Sequence, residues 1–232
     1  GQALANFLQL SPEEKVTALV ALAKTAKEGF LTMATKNGII KKTEVSQFEQ
    51  VRRSGLVALK LRKNDELKWV ALTSGQDEII LATRFGQAIR FKEKDVRPMG
   101  RAAAGVSGIR LKKDDQVVRM NIVEAGQKPE ERSLLVVTEN GYGKRALLKF
   151  YKIQKRGGSG IKTARVTKRT GQVVSLKIIS PAEEKEDLVV VSQKGQVIRI
   201  PLLSIPKMGR ATQGVRIMRL GEGDMVASAT RI

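Results

Sequence analysis

The chain has 232 residues, of which 43 are Lys or Arg and 23 are Asp or Glu, so its formal net charge is +20. It contains neither His nor Cys, which excludes nucleophile–histidine pairs, zinc sites built on these ligands, disulfides and thiol redox motifs. Hydrophobic residues make up 41% of the chain, enough to bury a core, and no apolar run reaches the ~18 residues of a membrane-spanning helix. The composition predicts a soluble, intracellular, globular protein with a polyanionic partner and no membrane association.

The sequence repeats itself. Four hairpin-like segments centre on Gly38, Gly86, Gly141 and Gly195. A second, glycine-rich segment follows each hairpin and closes at Gly55, Gly105, Gly160 and Gly214. Both landmarks recur at intervals of roughly 50 residues, a period typical of propeller blades.

Each repeat contains the same short apolar segments, which have the length and composition of β-strands. In chain order, the predicted strands that head successive repeats are 16–22, 67–72, 117–123, 173–179 and 225–230. The next strands are 30–34, 79–82, 134–137 and 188–191, and third strands follow at 39–40, 88–91 and 197–200. The fourth strands are 56–61, 106–111, 161–166 and 215–220. Residues 15–27 also have helix propensity, but the repeat register favours a strand at 16–22.

Four strands per repeat predict an all-β, propeller-like ring. We expect one domain over residues 1–232, with four full repeats at about 16–66, 67–116, 117–172 and 173–224. Residues 1–15 and 225–232 are interpreted as fragments of further blades, and the chain as part of a longer protein.

Basic residues recur at two matching points of the repeat. After the hairpin glycines come Lys41, Lys42, Arg90, Lys144, Arg145 and Arg199. The loops before the fourth strands carry Arg52, Arg53, Arg97, Arg101, Lys155, Arg156, Lys207 and Arg210. Equivalent positions of blades around one axis lie on one rim, so these side chains are predicted to form a belt that contacts the phosphates of duplex DNA. The alternative is that they are ordinary solubilising charges.

One of these loops is unusually rich in glycine. It reads Gln154-Lys155-Arg156-Gly157-Gly158-Ser159-Gly160. Glycines allow backbone amides to approach phosphate closely, so Gln154, Gly157, Gly158 and Gly160 are predicted to bind DNA together with the two basic residues. The spacing does not fit a Walker P-loop, and the alternative is a flexible turn.

Catalytic sites are not predicted. Acidic clusters occur at Asn64-Asp65-Glu66, Asp114-Asp115 and Glu222-Gly223-Asp224, in the same turn of successive repeats. Acidic residues that recur at equivalent turns are better explained as residues that favour turns than as a catalytic pair of carboxylates. We therefore predict no catalytic residue, no metal site and no cofactor. The single Trp and six Phe are too sparse to stack on single strands.

Three segments resemble a known family. Glu139-Asn-Gly-Tyr-Gly-Lys-Arg145, Gly209-Arg-Ala-Thr-Gln-Gly-Val215 and Val96-Arg-Pro-Met-Gly-Arg101 are similar to the C-terminal domains of bacterial DNA gyrase A. The resemblance implies a β-pinwheel, a propeller-like disc whose blades exchange strands and which bends duplex DNA around its basic rim to support negative supercoiling. It also implies a chain without catalysis of its own, because the catalytic tyrosine and the ATPase of such type IIA topoisomerases lie elsewhere.

The implied partners are double-stranded DNA, the N-terminal breakage-reunion part of the same gyrase A polypeptide and the ATPase protein, gyrase B, in an A2B2 holoenzyme. The implied location is the bacterial cytoplasm, at the nucleoid. Residues 154–160 match the family's Gln-[Arg/Lys]-Arg-Gly-Gly-[Arg/Lys]-Gly box except at Ser159, but in the third repeat rather than the first blade. The regular repeats favour gyrase over topoisomerase IV, and a propeller that binds an acidic protein or RNA is the remaining alternative.

Overall fold

The computed structural model of the chain describes residues 13–22, 28–50 and 55–232. These residues form short β-strands joined by turns and 3-10 segments. The strands are β1 (Phe30–Thr35), β2 (Ile39–Glu44), β3 (Leu67–Thr73), β4 (Glu78–Thr83), β5 (Gln87–Lys92), β6 (Val106–Ser107), β7 (Val117–Val123), β8 (Ser133–Thr138), β9 (Tyr142–Leu147), β10 (Ile161–Lys162), β11 (Val173–Ile179), β12 (Asp187–Ser192), β13 (Val197–Pro201), β14 (Val215–Arg216) and β15 (Val226–Arg231). The 3-10 segments are Val45–Phe48, Glu93–Asp95, Leu148–Phe150, Ala182–Lys185 and Leu202–Ser204.

The described strands form four antiparallel sheets. Their strand orders are β3-β1-β2-β6, β7-β4-β5-β10, β11-β8-β9-β14 and β15-β12-β13. Each sheet is built on a hairpin, and the short strands β6, β10 and β14 each pair with the hairpin of the preceding repeat. This exchange of strands between neighbouring blades confirms the predicted all-β pinwheel.

The strand that heads each predicted repeat also pairs with the hairpin of the repeat before it, as β3 does with β1. This pairing explains two predicted strands that are absent. Residues 14–22 and 55–62 carry no strand, although the sequence pattern predicts strands at 16–22 and 56–61. Their counterparts in later repeats pair with a preceding hairpin, and the described residues contain no hairpin before β1. An apolar run without a partner edge cannot form a ladder.

The core lies between successive sheets. On β4, Ile79 and Leu81 pack toward the first sheet, whereas Ile80 and Ala82 pack toward the third. Both faces of the strand are therefore buried, which accounts for its continuous apolar sequence. Within the described residues no helix is long and apolar enough to cross a membrane.

The sheets have an inner and an outer edge. The edge strands β3, β7, β11 and β15 contact one another in succession, so they line the centre of the array. The exchanged strands β6, β10 and β14 lie at the opposite edge of their sheets. The loops that lead into them, which we call exchange loops (residues 97–105, 152–160 and 207–214), therefore lie on the outer rim.

Candidate nucleic-acid interface

The basic residues that follow the hairpin glycines lie inside the domain. Lys41, Lys42, Arg90, Lys144 and Arg145 are each at most 5% exposed. Because such burial keeps their charged groups away from a DNA backbone outside the domain, we correct the prediction that these five side chains contact phosphate. Their charges hold the exchange loops, or the segments that enter those loops, in place.

Arg90 shows how this is done. Its Nε donates to Oε2 of Glu78 at 2.6 Å, and one terminal nitrogen donates to the carbonyl oxygens of Leu148 at 3.3 Å and Tyr151 at 3.1 Å. The amide of Gln154 in turn donates to the carbonyl oxygen of Arg90 at 2.7 Å. The guanidinium group therefore ties the hairpin of the second sheet to the segment that enters the next exchange loop.

Arg145 and Lys42 occupy the same position in their sheets. Arg145 donates from Nε to the carbonyl oxygen of Ile205 at 2.8 Å and forms an ion pair with Glu184 at 3.2 Å. Lys42 forms an ion pair with the buried carboxylate of Glu93 at 3.3 Å. The repeated basic residue is thus a recurrent clamp between blades.

The lysines one position earlier each donate to at least one carbonyl oxygen of an exchange loop. Nζ of Lys144 donates to Gly209 O at 2.9 Å and Arg210 O at 2.6 Å. Burial, with a smaller contribution from the charge of Arg210, lowers the pKa of Lys144 to about 8. Nζ of Lys41 donates to the carbonyl oxygens of Ala58 and Arg101, and burial lowers the pKa of this lysine as well.

Arg199 is the exposed counterpart of Arg90. Its side chain is 67% exposed and pairs with Asp187 at 2.5 Å. No segment that the structure describes covers the outer edge of β13, so no exchange loop buries this arginine.

The predicted basic residues of the exchange loops reach the surface. Arg97, Lys155 and Lys207 are exposed, whereas Arg101, Arg156 and Arg210 are partly exposed. Arg52 and Arg53 lie outside the described residues. The structure therefore places six of the predicted residues on the surface of the outer rim.

Two of the rim arginines also stabilise the fold. Arg156 donates to the carbonyl oxygens of Asp95 at 2.8 Å and Ser107 at 3.2 Å, and Arg210 donates to that of Lys162. Since Ser107 and Lys162 lie on exchanged strands, each arginine connects its own loop to the exchanged strand of the preceding repeat.

The glycines of residues 154–160 serve packing. The amide of Gly157 donates to Gly108 O at 2.7 Å, so it is not available to phosphate. Gly160 has φ +70° and a Cβ there would lie 2.6 Å from the carbonyl oxygen of Ala88. Gly158 and Gln154 are partly exposed. The loop lies close against β5, and its positive charge comes from Lys155 and Arg156.

A second set of rim cations is not evident from the strand pattern of the sequence. The residue five positions after each closing glycine is basic and exposed in all four repeats: Lys60, Arg110, Arg165 and Arg219. Their constant distance from Gly55, Gly105, Gly160 and Gly214 is the signal that could have revealed them. The apolar pattern places them inside long fourth strands, but β6, β10 and β14 end after two residues.

The first three of these residues meet the exchange loop of the next repeat. The amide of Lys60 donates to Ala103 O at 3.2 Å, that of Arg110 to Gly158 O at 2.8 Å and that of Arg165 to Thr212 O at 3.1 Å. Each acceptor lies two residues after Arg101, Arg156 or Arg210 in the sequence. We call each such meeting of two basic segments a seam, and the described residues contain three equivalent seams.

The acidic turns act structurally, as expected. Asp115 accepts hydrogen bonds through Oδ1 from the amides of Phe85 at 3.0 Å and Gln116 at 2.8 Å. Asp65 and Asp224 bind their own hairpins in the same way. Among the described residues no group of acidic side chains has the arrangement of a metal site.

A pinwheel with cationic seams at regular intervals on its rim defines a class of protein: a repeat scaffold whose outer rim carries recurrent positive charge. Comparison with known families agrees with this class. The family described as "DNA gyrase C-terminal domain, beta-propeller" matches residues 30–74, 77–124, 132–180 and 186–232. The chain belongs to this family, and the resemblance inferred from its motifs is confirmed.

Individual proteins and solved structures are also similar to this chain. The DNA gyrase A protein of Staphylococcus aureus (strain NCTC 8325) is 40% identical over 233 residues, covering 100% of this chain and 26% of the relative. The chain therefore spans about a quarter of the length of that protein. The solved C-terminal domain of a DNA topoisomerase IV has a TM-score of 0.89 at 25% identity, covering 100% of this chain and 70% of that one. A DNA gyrase A C-terminal domain has a TM-score of 0.84 at 24% identity, covering 100% and 75%.

Proposed function

We propose that this chain binds duplex DNA through its phosphates and bends it around the outer rim, as the DNA-wrapping domain of a type IIA topoisomerase of the gyrase A type. The observation that carries the proposal is the recurrence of exposed basic residues at successive seams. Because the contacts are cationic and repeat once per blade, they suit a backbone of evenly spaced charges and carry little base sequence information.

The rim explains why binding would bend the duplex. A straight duplex can touch only neighbouring seams of a curved array, whereas a bent duplex reaches more of them. Bending a site of 20–30 base pairs costs on the order of 1–6 kcal/mol, which the additional phosphate contacts offset. The predicted contacts retained in this interface are Arg97, Arg101, Lys155, Arg156, Lys207 and Arg210, and Lys60, Arg110, Arg165 and Arg219 join them.

Within a larger protein we assign the chain no catalytic step. In this proposal, DNA cleavage and strand passage belong to the N-terminal breakage-reunion part of the same polypeptide, and ATP hydrolysis belongs to gyrase B in an A2B2 holoenzyme. The DNA segment bent by the rim would be delivered to that machinery in the bacterial cytoplasm, at the nucleoid. The 40% identity to a gyrase A protein favours gyrase over topoisomerase IV for the intact protein.

A binding series over duplex length and salt concentration tests the proposal. We expect affinity to rise with length over roughly tens of base pairs and to depend little on sequence. If about six phosphates are neutralised together, log affinity falls against log salt with a slope near −5, at ~0.9 per phosphate. A slope shallower than about −2, or affinity independent of length, would contradict the rim interface and favour a scaffold that binds an acidic protein.

A further inference from the structure

One cluster on the third sheet has a geometry that the seams do not explain. Tyr142 is the first residue of β9 and is only 4% exposed. Its hydroxyl oxygen accepts hydrogen bonds from Nε of Arg169 at 2.8 Å and from a terminal nitrogen of Arg216 at 3.2 Å. The two guanidinium carbons lie 5.4 and 5.6 Å from the centre of the tyrosine ring. One phenol therefore holds two arginines.

The two arginines come from different repeats. Arg216 lies on the exchanged strand β14, directly opposite Tyr142 in the register. Arg169 lies in the turn before β11, where Nδ2 of Asn140 donates to the carbonyl oxygens of Lys168 at 3.1 Å and Arg169 at 3.2 Å. The positions of both arginines are thus fixed by backbone contacts as well as by the phenol.

Neither arginine has a negatively charged partner within the described part of the chain. Both residues are exposed, and neither forms an ion pair there. Two guanidinium groups that share one neutral oxygen repel each other, and an anion between them would relieve that repulsion. The hydrogen bonds from Arg169 and Arg216 also lower the pKa of the Tyr142 hydroxyl, as expected in a local excess of positive charge.

We propose that Arg169 and Arg216 form a binding site for one phosphodiester group of duplex DNA, and that Tyr142 is the positioning residue that holds them ready. The proposal rests on the DNA-binding function proposed above and adds a specific contact to it. Arginine suits the role because its planar fork can donate two parallel hydrogen bonds to phosphate oxygens. Holding the forks in place before binding removes part of the entropic cost of ordering them.

Free phosphate would offer the two arginines the same oxygen acceptors as a phosphodiester group of DNA, and a binding experiment distinguishes the two ligands. A phosphodiester carries one negative charge and is one of many along a duplex, so neighbouring rim contacts add to its binding. Free phosphate has only the two arginines. We commit to the duplex backbone because β14 lies on the outer edge of its sheet, the same edge that carries the seams.

The test measures how tightly four variants of the full chain bind a duplex of roughly tens of base pairs. Each affinity is measured over a series of salt concentrations. Arg169→Gln and Arg216→Gln should each lower affinity about threefold to tenfold and reduce the salt slope by about 1. Tyr142→Phe keeps both charges, so it should lower affinity about twofold to fivefold with the slope unchanged. Tyr151→Phe is the matched control, because its buried hydroxyl bonds Thr163 Oγ1 at 2.7 Å and its loss should change stability without changing affinity.

A double-mutant cycle separates positioning from a general effect on the fold. In an Arg169→Gln, Arg216→Gln background, Tyr142→Phe should have no further effect on affinity. An undiminished effect there would overturn the positioning role. If the wild-type chain shows the expected length and salt dependence but all three site variants have the wild-type affinity and salt slope, the proposed phosphate site is wrong and the proposed rim function stands. If the wild-type chain shows neither dependence, the rim function itself fails. If the chain binds inorganic phosphate, and the Arg169→Gln and Arg216→Gln substitutions abolish that binding but leave duplex affinity unchanged, the proposal is replaced by a site for a free anion.

Discussion

Replacing Arg90 with Met tests whether the buried cations act as clamps between blades. The substitution keeps most of the side-chain volume but removes the donors to Glu78, Leu148 and Tyr151. It leaves a carboxylate and two carbonyl oxygens without their partner in a site where the arginine is 5% exposed. Removing one member of a buried pair costs about 3–5 kcal/mol, so we expect a loss of this size in the free energy of unfolding.

The assay is thermal and urea unfolding, together with duplex affinity measured well below the melting temperature. For a chain of this size each kcal/mol lowers the midpoint by about 2–4 °C, so the midpoint should fall by at least about 6 °C. Affinity and its salt slope should stay at the wild-type values, because Arg90 does not reach the rim.

Arg199→Met is the matched control, since Arg199 occupies the same repeat position. Its side chain is 67% exposed and its ion pair with Asp187 is on the surface, so the substitution should cost less than about 1 kcal/mol. An Arg90→Met variant that is as stable as Arg199→Met, or one that loses a unit of salt slope while remaining stable, would refute the clamp.

Two further predictions concern the turns and loops. Gly160→Ala should destabilise the domain by more than the ~1–2 kcal/mol that a left-handed backbone costs an alanine, because the new Cβ would lie 2.6 Å from Ala88 O. Gly195 has φ +87° and open space around it, so Gly195→Ala should show only the conformational cost. Urea unfolding of the two variants measures the difference. The hydroxyl of Ser192, and then the amides of Lys194 and Met225, lower the pKa of Asp224, so its stabilisation is complete above the unfolded pKa of ~3.9 and is lost as pH falls through the lower folded value. Asp224→Asn should therefore be less stable than wild type at pH 7, and thermal melts should show that the difference shrinks below about pH 4.

Most of the fold was accessible from the sequence because the repeat is regular. Paired glycine landmarks and short apolar runs predicted most of the strands closely, apart from β9 (Tyr142–Leu147), for which no strand was predicted, the second half of β2 (Ile39–Glu44) and the lengths of the fourth strands. Those strands were overestimated because Val106–Ser107 and its equivalents leave the ladder after two residues, and no local pattern shows where a partner edge ends. The missing strands at 16–22 and 56–61 have the same cause, since pairing depends on a hairpin elsewhere in the chain.

The proposed interface could be predicted only in part from the sequence. The exchange-loop basic residues could be predicted because glycine-rich loops are exposed. Lys42, Arg90 and Arg145 could not be distinguished from them by charge, because their burial depends on Glu93, Glu78 and Glu184 and on a loop from the next repeat. Lys60 and its equivalents could have been found by counting from the closing glycines rather than by reading strand patterns.

The most direct test of the account is whether the chain wraps DNA. Nicked circular DNA would be sealed by a ligase in the presence of increasing amounts of the chain, and the linking number of the purified circles would then be measured. We expect a shift that grows with bound protein and that largely disappears in the quadruple variant Lys60→Gln, Arg110→Gln, Arg165→Gln, Arg219→Gln, which should still bind short duplexes. Saturated binding by the wild-type chain with no change in linking number would contradict wrapping around the rim.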